Sequence, residues 1–306
     1  MVPEQRERAA LVALLRRPGA KWQDIALEVL ETGSAVAVLE SKLRLQDALF
    51  PETDPVVSCI ADAAELLHAW EASGIGVHAC FDPDYPSQLR SIHQVPPLLF
   101  SRGALTHDRR AIAVVGTRKA SEQGLRVASA VATELALNDV TVVSGLAKGI
   151  DTAAHTAALK ARGRTVAVIG TGINRFYPSE NRPLQEQITR EGAVISQFWP
   201  DSPPSKQSFP MRNAVMSGYA AATVVVEAPW KSGARIQARL ALEHGRPVVM
   251  PDQLLEHDWA RKYAEKPGVH VVSSLSELLS IVEQLISNLH TGPDTLPEAP
   301  HLAWSS

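Results

Sequence analysis

Three stretches of the 306-residue chain bring glycine, a small hydroxyl side chain and a cation within a few residues of one another. They are Gly116-Thr117-Arg118-Lys119-Ala120-Ser121, Ser144-Gly145-Leu146-Ala147-Lys148-Gly149-Ile150-Asp151 and Gly170-Thr171-Gly172-Ile173-Asn174-Arg175. The chemistry of such a pattern is phosphate capture. Glycine lets the backbone approach closely, free amides at a helix start donate to an anion, and Arg or Lys adds charge. In the first stretch Gly116 permits the turn, Ser121 is a suitable N-cap, and Arg118 and Lys119 supply the cations. Any one loop also has a plainer reading, because glycine is the usual residue of a tight strand-to-helix turn. Three in succession point to one anionic ligand.

Other chemistries lack their residues. The G-x-x-x-x-G-K-[ST] pattern of ATP hydrolysis is absent, as is G-x-G-x-x-G after the first strand, and Ser144 stands where a ribose-binding acid is expected. There is no G-x-S-x-G elbow, no H-E-x-x-H and no close His/Cys cluster. Cys59 and Cys80 have neither CxxC spacing nor the numbers for a disulfide framework and read as core residues. His155, four residues beyond Asp151, reads as a structural histidine. No catalytic residue, metal or cofactor is assigned.

The elements that must carry these loops follow from periodicity. Seven short apolar runs without alternation, 111–116, 140–145, 165–170, 193–196, 223–227, 247–250 and 269–272, have the pattern of strands buried on both faces of a parallel sheet. Helical stretches at 122–138, 149–161, 181–191, 234–244 and 275–287 alternate with them. Regular alternation predicts a doubly wound α/β domain over residues 96–287, in which ligands lie beyond the carboxyl ends of the strands. Residues 5–17 and 22–32 read as a helical hairpin around Pro18-Gly19, residues 60–73 as a further helix, and IGVHACF as a short strand. Residues 1–95 thus form a small, mainly helical unit. The stretch 288–306, rich in proline and small polar residues, reads as a disordered tail.

Charge follows the same division. The chain has a net charge of -3, yet residues 1–95 hold 8 Lys/Arg against 14 Asp/Glu, whereas residues 96–286 hold 22 against 17. A basic middle part favours an anionic partner, although a solvated surface gives the same imbalance. No run of about 18 apolar residues suggests a membrane span, and MVPEQRERAALVALLRR has no leader pattern, so a cytoplasmic location is expected.

In order along the chain, VGTRKASEQG (115–124), SGLAKGID (144–151), GTGINRFYPSEN (170–181), FPMRN (209–213) and VVEAPWKSGARIQARLALEHGR (225–246) resemble the DprA/Smf family of DNA-processing proteins. YPSQLRSIHQVPPLLFSRG (85–103) is similar to the family's lead-in. The resemblance implies an extended Rossmann-like, mostly parallel sheet behind the helical N-terminal unit. It also implies a non-enzymatic protein that binds single-stranded DNA, protects it and helps load a RecA-type recombinase in natural transformation, as a homodimer or larger oligomer. By resemblance, Arg118 and Lys148 carry the DNA-contacting loops, with Ser144, Gly145 and Gly149 shaping the phosphate pocket. Arg212 and Asn213 match the family's FPxRN, and Ser232-Gly233 its later SG. Phe176, Tyr177 and Phe209 are candidate stacking platforms, with core packing as the alternative. Three positions depart from the family pattern: Ala214 for a second arginine, Gln197 after Ser196, and Asp252 after Met250-Pro251. No C-terminal winged-helix domain is recognisable. The other reading is a nucleotide-sensing site in the same pocket, as in related Rossmann-like proteins, although Glu227-Ala228-Pro229-Trp230-Lys231-Ser232-Gly233 lacks the PGGxGT of nucleotide-cleaving relatives.

Overall fold

The computed structural model describes residues 1–44 and 54–291. Among these, one compact unit comprises Met1–Tyr85 and Gln94–Phe100, and another comprises Pro86–His93 and the chain from Ser101 onward.

The first unit holds α1 (Pro3–Leu15), α2 (Trp22–Thr32), α3 (Ala35–Arg44), α4 (Pro55–Ala72) and β1 (Gly76–Ala79), and β2 (Leu98–Gly103) begins in it. In α1, Ala9 to Val12, Leu14 and Leu15 are all buried, and this helix packs against α2, α3 and α4. The expected hairpin corresponds to α1 and α2. Helix α3 escapes the sequence reading because its start is capped from a distance: the Glu7 carboxylate accepts from Ser34 Oγ at 2.8 Å, Ala35 N at 2.6 Å and Val36 N at 3.1 Å. Helix α4 begins earlier than expected, since Asp54 accepts from Val56 N at 2.9 Å and Pro55 suits the first helical position.

The second unit contains strands β3 (Ala111–Gly116), β4 (Thr141–Ser144), β5 (Thr165–Val168), β6 (Ala193–Ser196), β7 (Ala222–Glu227), β8 (Val248–Pro251) and β9 (Val269–Val272). They pair in the order β6-β5-β4-β3-β7-β8-β9, every pair parallel. The chain builds outward from β3 to β6, then crosses back to place β7 on the other side of β3. This reversal leaves a crevice at the carboxyl ends of β3, β4 and β7. Helices α5 (Glu122–Leu137), α6 (Ile150–Lys160), α7 (Arg182–Glu191), α8 (Ser208–Tyr219), α9 (Gly233–Glu243), α10 (Asp258–Ala264) and α11 (Leu275–Thr291) connect the strands or follow them. The core brings Ile112, Val114, Val142 and Val224 of the sheet against Ala128, Val131 and Leu135 of α5 and Ala154 and Ala158 of α6. The doubly wound Rossmann-like sheet is therefore as the sequence predicts.

Two helices of this unit were not legible. From Arg212 to Tyr219 every residue of α8 is buried, so no amphipathic period marks it, and Pro210 is tolerated because it lies in the first turn. Helix α10 is only 7 residues long. Helix α11 runs to Thr291, so the first residues of the expected tail are helical and the rest lies outside the described residues. No helix among the described residues is long and apolar enough to cross a membrane, and none of their His, Cys, Asp and Glu side chains group in threes fit to hold a metal.

Asp108, before β3, fastens this unit together. Its buried carboxylate accepts from Arg164 Nε at 2.6 Å and Nη2 at 2.9 Å, Tyr219 Oη at 2.5 Å and Thr141 Oγ1 at 2.9 Å, linking the starts of β4 and β5 to the end of α8. Burial pushes its pKa up, but the donors Arg164 and Tyr219 outweigh burial and hold it below the usual carboxylate value. The stability it contributes is present above the unfolded pKa of about 3.9 and is lost as pH falls through the lower folded value. Asp108→Asn is expected to cost about 2–4 kcal/mol in urea unfolding at pH 7, and Tyr219→Phe about 1 kcal/mol. The Asp108→Asn deficit should shrink in acid; a deficit that stays constant to the acid limit overturns this account.

Candidate nucleic-acid interface

The crevice at the strand ends is built from the first and second glycine loops, α8 and the loop after β7. At the end of β3 the register against β7 shifts between Val115 and Gly116, and Thr117 N donates to Glu227 O at 2.7 Å. Gly116 is needed there because a Cβ would press on Ile150 of α6, 2.8 Å from its Cβ. Ser121 caps α5 as expected, accepting from Gly124 N at 3.0 Å. The amide cradle at this helix start, however, is filled from within the protein. Ser121 N and Oγ donate to the Glu227 carboxylate at 3.0 and 2.9 Å, so that carboxylate sits where the sequence reading places a phosphate. The signal was a lone acid at the end of β7, 106 residues away.

Arg212 forms the floor. It is 5% exposed, and its Nη1 donates to the carbonyls of Gly145 and Val168, the latter at 2.6 Å, which joins the ends of β4 and β5 to α8. Burial lowers its pKa to about 10, against the opposing pull of the Asp151 carboxylate, so it stays charged at neutral pH. Burial raises the pKa of Asp151, and Arg212 and the amides of Ala147 and Gly145 pull it back. Arg212 Nε is buried without a hydrogen-bond partner. His155 lies deeper still, bonded through Nδ1 to Thr165 Oγ1 at 2.7 Å, and burial lowers its pKa to about 3. It is neutral at physiological pH, in keeping with a structural histidine.

The second loop is shaped by close approach. A Cβ on Gly145 would overlap the Arg212 guanidinium, and one on Gly149 would meet Thr117 O and Arg118 O. Gly149 has φ of 79°, whereas at the other bend it is Leu146, not Gly145, that turns left-handed with φ of 56°. Ser144 is buried, and its Oγ donates to Val114 O at 2.6 Å.

The resulting cleft, of about 480 Å³, is lined by Gly116, Arg118, Lys119, Arg212, Asn213, Ser232 and Gly233, and also by Asp151, Phe209 and Lys231. Arg118 and Lys119 are exposed on its rim. The Arg118 guanidinium lies 5.2 Å from the Phe209 ring centre, and that ring packs at 5.6 Å against Tyr177, which is 42% exposed. The Phe176 ring instead lies under Arg182, 4.7 Å away. Ser232 caps α9, accepting from Ala234 N at 3.2 Å.

Other expected residues lie elsewhere. Lys148 pairs with Glu180 and, with Gly149, lines a separate groove of about 590 Å³ that Leu125, Ser129 and Thr156 also line. Gly170 backs Phe209, whose ring an added Cβ would meet at 2.8 Å, and Gly172 N donates to Ser202 O at 2.9 Å. Asn174 bonds Arg102 and Asp201, and Arg175 Nε donates to Asp201 O at 3.0 Å, so both serve the loop after β6. Of the departures from the family pattern, Ala214 is buried in α8 and Gln197 is buried after β6. Lys231, Trp230 and Glu227 were not among the expected site residues, because the sequence reading took only Ser232-Gly233 from this stretch and read the residues before them for the absent PGGxGT.

A Rossmann-like α/β protein with a cationic cleft at its switch point, edged by aromatic rings, is the class that fold and site define. The family profile described as DNA recombination-mediator protein A matches residues 76–283, and the chain belongs to that family. It is 43% identical over 177 residues to the DNA processing protein DprA of Streptococcus pneumoniae, covering 57% of this chain and 62% of the relative. The crystal structure of the pneumococcal protein superposes with a TM-score of 0.66 at 30% identity, covering 90% of this chain and 95% of that one. Protein Smf of Synechocystis is 42% identical over 172 residues, 55% of this chain and 43% of the relative. The matches therefore span 43% to 62% of the length of these curated relatives. A Helicobacter pylori DprA structure, described for its single-stranded DNA binding mode, shares the fold with a TM-score of 0.62 at 24% identity, covering 70% of this chain and 96% of that one.

The contacts beneath the cleft separate two kinds of glycine. Gly145→Ala and Gly149→Ala are each expected to cost about 1–3 kcal/mol, by overlap with Arg212 and by backbone strain respectively. Gly233→Ala, whose added methyl meets nothing within 4 Å, should stay within about 0.5 kcal/mol of wild type. Urea midpoints decide, and equal values for Gly145→Ala and Gly233→Ala contradict the packing described.

Proposed function

We propose that this protein binds single-stranded DNA along the cleft between Arg118 and the start of α9, as a binding protein rather than an enzyme. The observation that carries the reading is the row Arg118–Phe209–Tyr177 beside Lys119 and Lys231. Exposed cations for the backbone stand next to aromatic rings, of which Tyr177 is the exposed one that a base could meet. Family membership supports the same ligand class, as does the strand-binding mode for which the Helicobacter pylori relative was described.

Arg118, Lys119, Ser232 and Gly233 form the contact surface in this reading, with Gly116, Ser144, Gly145, Arg212 and the buried Asn213 holding its shape. Lys148 acts at the adjoining groove, where a phosphate must displace Glu180. By family resemblance the bound strand is incoming DNA in the cytoplasm, which the protein protects and passes to a RecA-type recombinase as a homodimer or larger oligomer.

Fluorescence anisotropy of single-stranded and duplex oligonucleotides at two salt concentrations tests the reading. Wild type should prefer the single strand and weaken with salt, with a slope of about -0.7 for each phosphate contact. Arg118→Ala should bind about tenfold less tightly with a shallower slope. Lys148→Ala should lose less, because its charge is already paired. Equal affinity of Arg118→Ala and wild type, with both folded, rules out this cleft as the strand site.

A further inference from the structure

Trp230 stands on the loop between β7 and α9 and is 60% exposed, more than any other aromatic side chain among the described residues. An indole so open to water leaves a large apolar surface available for contact. Here the Arg235 guanidinium lies over the ring, 4.0 Å from its centre. Arg235 Nη1 is buried with no hydrogen-bond partner, so the ring rather than a carbonyl or carboxylate holds that end of the side chain. One face of the indole is thus covered by a cation, while most of the side chain stays exposed. Pro229 and Lys231, on either side of Trp230, both line the cleft that also contains Arg118 and Phe209.

We propose that Trp230, braced by Arg235, is a second stacking station that receives a base of the strand where it leaves the cleft on the α9 side. This rests on the strand-binding reading above and assigns to it a residue that the glycine-loop pattern does not contain. A flat aromatic face backed by a guanidinium suits a nucleobase, which stacks irrespective of its identity. Lys231 beside it meets the phosphate of the same nucleotide, and Arg118 and Lys119 give the remainder of the cleft the same sign of charge. The surface is cationic as well as aromatic, which favours a nucleic acid over an apolar protein surface. Stacking is short-ranged and uncharged, so its loss should lower affinity without changing the dependence on salt, unlike the loss of a phosphate contact.

The test titrates labelled oligothymidylate of about 20 nucleotides, longer than the ~4–16 that one compact binding module commonly covers, with wild type, Trp230→Ala, Trp230→Phe and Arg118→Ala at two salt concentrations. Circular dichroism checks that each is folded, as expected for a change at an exposed loop position. Trp230→Ala should bind about fivefold to tenfold less tightly with an unchanged salt slope, and Trp230→Phe should recover most of the loss. DNA should also quench the tryptophan emission of wild type more than that of Trp230→Phe. Unchanged affinity of Trp230→Ala while Arg118→Ala is weakened overturns the stacking station and leaves the cleft reading standing; the exposed ring then serves a protein contact. Absence of strand binding by wild type overturns both.

Discussion

A permanently charged guanidinium is buried beneath the ends of β4 and β5, and much of the site geometry answers to it. Arg212 cannot shed its proton at neutral pH, so the surroundings must replace its water. They do so in part, with the carbonyls of Gly145 and Val168 on Nη1 and the nearby Asp151 carboxylate, while Nε is left without a partner. Satisfying one guanidinium from the ends of two neighbouring strands requires α8 to lie across them. It also requires a residue without a side chain at 145. Phe209 lies one turn earlier on the same helix, so the anchoring that turns Arg212 inward also sets that ring at the cleft, where Gly170 backs it.

A second constraint comes from Glu227. The N-terminus of a helix attracts an anion, and at α5 that anion is supplied by the chain itself. The consequence is a division of labour between two helix starts. The start of α5 is locked to the end of β7, which fixes the loop bearing Arg118 and Lys119. The start of α9, capped only by its own Ser232, borders the cleft directly. Arg118 and Lys119 are in this way presented by a loop pinned at both ends, at Thr117 and at Ser121, while their own side chains stay exposed.

The fold was legible wherever burial on both faces erased alternation, which is why all seven parallel strands stand out as apolar runs. It was illegible where that same erasure affects a helix: α8 is buried on every side from Arg212 onward and reads as a motif rather than an element. Helix α3 was hidden for a different reason, since its cap, Glu7, is on another helix. At the site, glycine spacing located the loops but not the direction of their side chains. The sequence treats Arg118, Lys148 and Arg212 as equivalent cations. The structure makes one a rim cation, one half of a surface ion pair and one a buried tie. Only long-range pairing distinguishes them, and no local pattern encodes it.

That distinction bears on what the cleft can read. Sequence-specific recognition needs polar groups with free hydrogen-bonding capacity aimed at base edges. Here several candidate groups already have partners: Ser144 donates to Val114, Ser232 accepts from Ala234, Ser121 donates to Glu227, and Arg212 donates to two carbonyls. What the rim presents outward is long exposed cations and ring faces, which respond to backbone charge and to the common flatness of bases. Such a set suits a ligand that is anionic, flexible and unstacked, and carries little that could distinguish the order of its bases. Under the strand-binding proposal, a chain that spends its hydrogen-bonding groups on holding the cleft open, and leaves its cations and rings for the ligand, would recognise the state of a nucleic acid rather than its sequence.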